Sequence, residues 1–245
     1  MPFTPTREQL LPPLTPAQEL VLLARALWHE GYDDHIAGHI TYRQPDGTLL
    51  CNPWFITWDE LRPEQVLRID LDGTVLEGDW PIPPGLPLHL ELHKLRDDVG
   101  VAVHNHSRFG TIWADAHRIP PIYDQTSALS GGGLALVNEY SGAVNTTSNA
   151  RAAAEQIGDA NIALLANHGV FVVGSTIRAA HQRAVALEQR CRHAFQVEAL
   201  GGGHELSGAP IEVFMRSDGN GYIGFWEAAA RAELRRDPTL LDGPA

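Results

Sequence analysis

Lysine is almost missing from this chain: Lys94 stands alone beside 17 arginines in 245 residues. Basic charge as a whole is scarce, with 18 Lys and Arg against 30 Asp and Glu and a formal net charge of −12. That balance excludes the basic face that nucleic acids and anionic membrane surfaces require. Only two cysteines occur, Cys51 and Cys191, too few for a disulfide framework, so a reducing, cytoplasmic setting is expected. No run of 18 apolar residues exists, so no membrane span is expected. The opening MPFTPTREQLLPPLTP lacks the basic start and apolar core of a secretory leader. Also missing are a Gly-x-Ser-x-Gly elbow and any cysteine with a base beside it. Gly131-Gly132-Gly133 lacks the strand–turn–helix setting of a nucleotide loop and reads as a flexible connection.

What remains is ample apolar material. At 44% hydrophobic residues the chain can bury a sizeable core, and no repeat or low-complexity linker divides it. One domain over residues 1–245 follows, with an irregular Pro-rich arm at 1–15. Thr15-Pro16-Ala17-Gln18 has the form of a helix start, with a capping residue, proline in the first turn and glutamine three residues on. Alternating runs at 36–43 and 48–52 flank the hairpin signal Asp46-Gly47. A second hairpin is expected over 66–75 and a helix over 88–95. Strands follow at 99–104, 133–137, 162–166 and 170–173. Further helices are expected at 108–116, from Asn149 as cap to 157, at 176–200 before Gly201-Gly202-Gly203, and at 222–236. Strands bunched in pairs among helices predict an α/β domain with a largely antiparallel sheet.

The most informative feature is His104 and His106, one residue apart at the end of the alternating run Val99–Val103, with His168 a further 62 residues on. Residues i and i+2 of a strand share a face, their side chains rooted roughly 7 Å apart, so two imidazoles can converge on one ion. His168 ends a second apolar run, Leu164-Leu165-Ala166-Asn167-His168-Gly169. Three imidazoles with an open fourth position describe a catalytic site for zinc or another first-row metal. Twelve histidines also make chance pairs common, so spacing alone leaves a metal site and ordinary surface histidines both open.

The stretch 92–107, LHKLRDDVGVAVHNHS, together with 164–174 and the Gly38-containing run 37–43, resembles the class II aldolase/adducin family. The resemblance runs in order from about residue 15 to 200. It implies a three-layer α/β/α domain and one divalent ion per chain (zinc, manganese or cobalt) held by His104, His106 and His168. It further implies a homotetramer with active sites at subunit borders, and C–C bond cleavage of a small molecule beside a carbonyl. The departures from the family pattern carry as much information. His89 stands where sugar-phosphate aldolases of the family carry a catalytic glutamate. Pro87 and Leu88 replace two phosphate-binding serines, His39 replaces an asparagine, and Pro53-Trp54-Phe55 replaces a loop of small residues. Proline and leucine offer no hydroxyl to a phosphate, so a non-phosphorylated hydroxy- or keto-acid is the expected substrate.

His39, Trp54, Phe55, Asp124 and Gln125 are the expected substrate contacts, and Tyr123 with His89 the expected catalytic pair. Trp54, Phe55, Trp58 and Tyr123 together would suit a flat substrate. Three roles stay open for His89: a fourth metal ligand, an acid–base near neutral pH, or a helix-face residue bonded to Glu91 or Asp124. His93, one turn later, is a possible outer partner of the site. The remaining histidines, His181 among them, default to turns and surface, and Glu188 to pairing with an arginine. Four functions stay open: a lyase acting by decarboxylation or retro-aldol cleavage, a non-haem iron oxygenase on the same histidines, a sugar epimerase, and an adducin-like scaffold. His89 in the glutamate's place, with Pro84-Gly85 before it and Trp226 and Arg231 in the last expected helix, resembles the adducin-like bacterial branch of the family.

Overall fold

The computed structural model describes residues 10–130, 133–138, 146–215 and 224–243. Helix α1 (Pro16–His29) begins as its sequence dictates: the Thr15 hydroxyl accepts from the Gln18 amide and the Gln18 side chain returns a bond to Thr15. Strands β1 (His39–Arg43) and β2 (Leu49–Cys51) form the hairpin around Gly47, whose φ of +86° suits glycine. Strands β3 (Leu67–Ile69) and β4 (Val75–Glu77) form the second hairpin. Helix α2 (Leu86–Leu95) leads to β5 (Val101–Asn105), then to the short helices α3 (Gly110–Asp115) and α4 (Gln125–Ala128). After β6 (Leu134–Val137) come α5 (Thr147–Ile157), β7 (Ile162–Leu165), β8 (Gly169–Gly174) and the long α6 (Ile177–Ala199). Helices α7 (Ala209–Met215) and α8 (Phe225–Arg236) complete the described chain.

The eight strands form one sheet in the order β4-β3-β2-β1-β5-β8-β7-β6, antiparallel throughout except for the parallel β6–β7 pair. The alternation along β5 divides the core. Val101 and Val103 face α1, α3, α6 and α8 in the larger cluster, with Leu20, Leu23, Trp58, Trp113 and Leu187. Ala102 faces the other way, toward Leu88 and Leu92 of α2 and Ala150 and Ala153 of α5. The result is the expected three layers. Helices α2 and α5, packed on each other, form the outer layer of the second face.

Some local expectations are corrected. Thr146, not Asn149, caps α5, because its hydroxyl accepts the Asn149 amide while Asn149 lies inside the helix. The short helices α4 and α7 have no clear periodicity and were not anticipated. Helix α8 begins at Phe225; residues 222 and 223, like 131 and 132 and the first nine of the arm, lie outside the described residues. His181 is buried rather than on the surface, its ring 5.5 Å from that of Trp226. Among the described residues Glu188 makes no ion pair with an arginine at contact distance; it accepts the Phe109 and Gly110 amides at 2.8 and 3.0 Å and so caps α3. Both cysteines are free and buried. Among the described residues no helix is long and apolar enough to cross a membrane.

Candidate metal centre

Sheet register builds the site. His104 on β5 is paired with His39 on β1 and with Phe171 on β8, so these three side chains form one row on the α2 face. The ring of His104 lies 5.3 Å from that of His39 and 6.2 Å from that of Phe171. His106 sits just past the end of β5, its ring 5.3 Å from His104. His168 enters from the tight turn joining β7 to β8, at 4.8 Å from His104 and 5.0 Å from His106. One nitrogen from each of the three lies within 4.8 Å of the others.

The turn that delivers His168 needs its particular neighbours. Asn167 adopts φ +54°, a left-handed conformation that asparagine tolerates, and its side chain bonds Nε2 of His117 at 2.8 Å. A Cβ on Gly169 would fall 2.7 Å from both the Asn105 carbonyl oxygen and Cδ2 of His106. Only glycine lets this turn close over His106.

Outer hydrogen bonds decide which nitrogens are available. Nδ1 of His104 donates to the Val170 carbonyl at 2.9 Å, and Nδ1 of His106 meets the Asp34 carboxylate at 2.6 Å. With Nδ1 donating, a neutral ring keeps its lone pair on Nε2, the arrangement in which an outer acceptor orients a metal-binding histidine. Nε2 of His106 is buried with no partner, as an unused ligand atom would be. Burial and the neighbouring His106 push His168 down to about 4, and burial with the surrounding imidazoles holds His104 well below its ordinary range. These two rings are neutral at pH 7, and a neutral imidazole is the form that binds a metal. Partial burial opposes ionisation of Asp34, but hydrogen bonds from His35 and His106 keep its carboxyl below the usual range. The donor set fits a divalent first-row ion with open positions.

Asp34 had no signal in the sequence: it lies 72 residues from His106 and in no motif. Asp34→Ala is expected to weaken zinc binding by about 10- to 100-fold, the usual cost of removing such an outer partner, as read by competition with a chromophoric chelator. Unchanged affinity would remove Asp34 from the centre.

Around the three histidines the expected contacts divide. His39 is buried; burial first, then His106 and His168, push it down to about 3. Its ring rests where a Cβ on Gly85 would fall, 2.2 Å from its Cε1. The Asn52 side chain fixes the backbone on either side, accepting from Ile40 at 2.7 Å and donating to Gly38 at 3.1 Å. Trp54 stands 6.5 Å from His39 and 6.0 Å from Phe55, which is exposed at φ +72°. Trp58 is a core residue of the opposite face, packed over Gly38, and does not join an aromatic pocket.

His89 is fully buried, edge-on to Phe171 at 4.8 Å, with Nδ1 3.0 Å from the Thr41 hydroxyl. Its pairing with Glu91 or Asp124 is overturned, because Glu91 turns outward to Lys94 and Arg151. Asp124 instead caps α4, accepting from Ser127 and meeting His193 at 2.9 Å. Tyr123 packs beside Gly203 and the larger core cluster. Within one chain, the contacts of Tyr123 and Asp124 do not bring them to the three histidines. Neither Gln125, in the first turn of α4, nor its neighbours shares a contact with that cluster among the described residues.

Comparison with known proteins agrees with this architecture. Residues 18–195 match the family described as the class II aldolase and adducin N-terminal domain. The chain is 28% identical over 218 residues to the decarboxylase NovR of Streptomyces niveus, covering 86% of this chain and 80% of that one. It is 27% identical over 218 residues to a 4-hydroxy-3-prenylphenylpyruvate oxygenase/4-hydroxy-3-prenylbenzoate synthase of Streptomyces roseochromogenus, covering 86% and 78%. The crystal structure of an aldolase II superfamily protein from Pseudomonas syringae superimposes with a TM-score of 0.81 at 24% identity, over 93% of this chain and 97% of that one. By sequence and by fold, the chain belongs to the class II aldolase/adducin family.

Proposed function

We propose that this protein is a divalent-metal-dependent lyase that cleaves a C–C bond of a small, non-phosphorylated hydroxy- or keto-acid. The observation that carries the reading is the convergence of His104, His106 and His168, with two Nδ1 atoms engaged outside the cluster. An ion held by these three would supply Lewis acidity at the substrate oxygens. The chain's own residues define the rest. Leu88, buried in the core, and Pro87 supply no hydroxyl for a phosphate dianion, and the −12 net charge gives no general attraction for one. Trp54 and exposed Phe55 offer flat apolar surface near His39. When the C–C bond breaks, its electron pair remains on the carbon beside the carbonyl, and a proton must be returned to that carbon. Burial holds His89 neutral, so its N–H can give a hydrogen bond to the charge that develops on a substrate oxygen, which an ionised glutamate cannot do. The proton returned to carbon comes from water. Decarboxylation, which needs no base to begin, therefore ranks ahead of retro-aldol cleavage, which must begin by removing a hydroxyl proton.

A second reading, a non-haem iron oxygenase, is favoured by the similarity to the Streptomyces roseochromogenus oxygenase; three histidines on one face leave positions for substrate and dioxygen. A homotetramer would allow Tyr123, Asp124 and Gln125 to approach the histidines across a subunit border. Elemental mass spectrometry of untagged protein, with the triple alanine variant of the three histidines as control, tests the reading. About one zinc, manganese or cobalt per chain, with CO2 or aldehyde released from a panel of aromatic and aliphatic hydroxy- and keto-acids, is the expected result. Predominant iron with substrate-dependent oxygen uptake transfers the assignment to the oxygenase. No metal above the control after reconstitution rejects both.

A further inference from the structure

Behind His89 lies a closed chain of hydrogen bonds that the metal centre does not use. The Thr41 hydroxyl on β1 stands 3.0 Å from Nδ1 of His89 and 2.9 Å from Nε2 of His93, both on α2. His93 is in turn 3.3 Å, through its Nδ1, from Nη2 of Arg43. Thr41, His89 and His93 are buried between the sheet and α2, and Arg43 at the edge is half-buried. We propose that Arg43, His93 and Thr41 form a positioning relay that holds His89 as the tautomer with its proton on Nε2, so that His89 presents a hydrogen-bond donor to a substrate oxygen. In that tautomer it offers no lone pair at Nε2, neither as a fourth metal ligand nor as a base. The role in the reaction rests on the lyase reading; the tautomer itself does not.

The direction of the relay follows from counting protons. A hydroxyl has one hydrogen. If both imidazoles donated to Thr41, its hydrogen would need a third acceptor, and among the described residues Oγ1 has hydrogen bonds with His89 and His93 alone. One ring therefore donates to Thr41 and the other accepts from it, which couples the two tautomers. Arg43 breaks the tie, because a guanidinium is always charged and can only donate. It is clamped in place: Nε donates to the Val99 carbonyl at 3.3 Å, and Nη2 to the carbonyls of His93 at 2.5 Å and Arg96 at 3.4 Å. A fixed cation against Nδ1 of His93 favours a lone pair there and the proton on Nε2. That proton goes to Thr41, and Thr41 passes its own hydrogen to Nδ1 of His89. The opposite direction would place a proton on Nδ1 of His93 facing the guanidinium. The Val99 carbonyl, which accepts from Arg43, has a second lone pair that could take that proton, but the N–H would still lie against the fixed guanidinium, and that repulsion decides the direction. At the far end of the relay, Nε2 of His89 is buried and, among the described residues, without a partner, and the His89 ring lies 5.9 Å from that of His39, the neighbour of His104.

Selective 15N labelling of histidine and long-range 1H–15N correlation of the whole protein, metal-free and zinc-loaded, reads the tautomer directly. The His89→Gln variant assigns its signals. The expected wild-type pattern has a protonated Nε2 and an accepting Nδ1 at His89, unchanged by zinc. Thr41→Ser should keep it, whereas Thr41→Val, similar in shape but without a hydroxyl, should mix the two tautomers. An Nδ1–H tautomer in the wild type, or loss of the Nε2 proton on zinc loading, overturns the proposal. So does an unaltered pattern in a folded Thr41→Val protein; if that variant does not fold, the wild-type and Thr41→Ser spectra decide. On a substrate that turns over, Thr41→Val should lower kcat by about 10- to 100-fold, below the roughly 10²–10⁴-fold contribution of a positioned acid–base group, with little change in KM and with recovery in Thr41→Ser. Because the spectra need no turnover, failure of the lyase reading leaves them interpretable, and an inverted tautomer leaves the lyase reading standing.

Discussion

Replacing His104 with alanine is expected to empty the centre of metal and abolish turnover while leaving the sheet intact. His104 is the middle member of the row from His39 to Phe171 and the ring closest to His168. Loss of one of three ligands should exceed the roughly 10- to 100-fold cost of losing an outer partner such as Asp34. The surrounding strand does not depend on the imidazole: β5 keeps its pairing with β1 and β8 along Val101–Val103 whatever side chain stands at 104. The clearest readout is thermal. Zinc at about 100 times its dissociation constant should stabilise the wild type by about 2.7 kcal/mol and raise its Tm accordingly. The alanine variant should melt cooperatively with no zinc-dependent shift. A variant that still gains stability from zinc, or still turns over, would show that the three histidines are not the metal centre.

The second large effect is the acid lability of the metal-free protein. Burial, the leading cause in each case, pushes His39 and His93 down to about 3 and His168 and His181 down to about 4, and holds His89 and His104 well below the ordinary value of 6.5. The unfolded chain takes up these protons near pH 6.5; the folded chain does not. Stability is then fully present above that pH and falls as the pH drops toward 4, because the unfolded state binds more protons. Each histidine that stays neutral contributes a slope of about 1.4 kcal/mol per pH unit, so even two or three such groups would consume much of a typical stability of about 5–15 kcal/mol by pH 5. Urea unfolding between pH 7 and 5 in the presence of a chelator measures the slope. His181→Gln, outside the metal centre, should reduce it by about one proton. A pH-independent stability would mean that these rings accept protons without unfolding.

The two halves of the candidate site were unequally legible. His104 and His106 announce themselves because a strand places i and i+2 on one face, and the apolar run before them marks the strand. Gly47 is legible from the Asp46-Gly47 hairpin signal, its φ of +86° being one that glycine adopts freely, while the close approach at Gly169 is seen only in the fold. Asp34, Thr41 and Arg43 carry no such mark. Each is an ordinary residue whose value lies in the atom it meets across the fold, and no spacing encodes that Asp34 reaches His106. His181 and Glu188 were misplaced for the converse reason: polar residues on a long helix look solvated until the neighbouring helix and loop close over them. Trp58 looked like a pocket wall, but the fold buries it in the core of the opposite face, and Tyr123, half-buried, packs against the edge of that core.

By itself the sequence determined most of the element types, the antiparallel bias of the sheet and the family, and it singled out three histidines as candidate ligands. These rest on local periods, capping groups and motif spacing, which act over a few residues. Only the tertiary structure decided that His39 and His104 are register partners, that Asp34 and Val170 select the Nε2 atoms, and that His89 is backed by Thr41, His93 and Arg43. Those decisions depend on strand order and on how α2 lies against β1, which bring together residues some 50 positions apart. Tautomer and ligand availability are properties of hydrogen-bond partners, and partners at that distance exist only once the chain has folded.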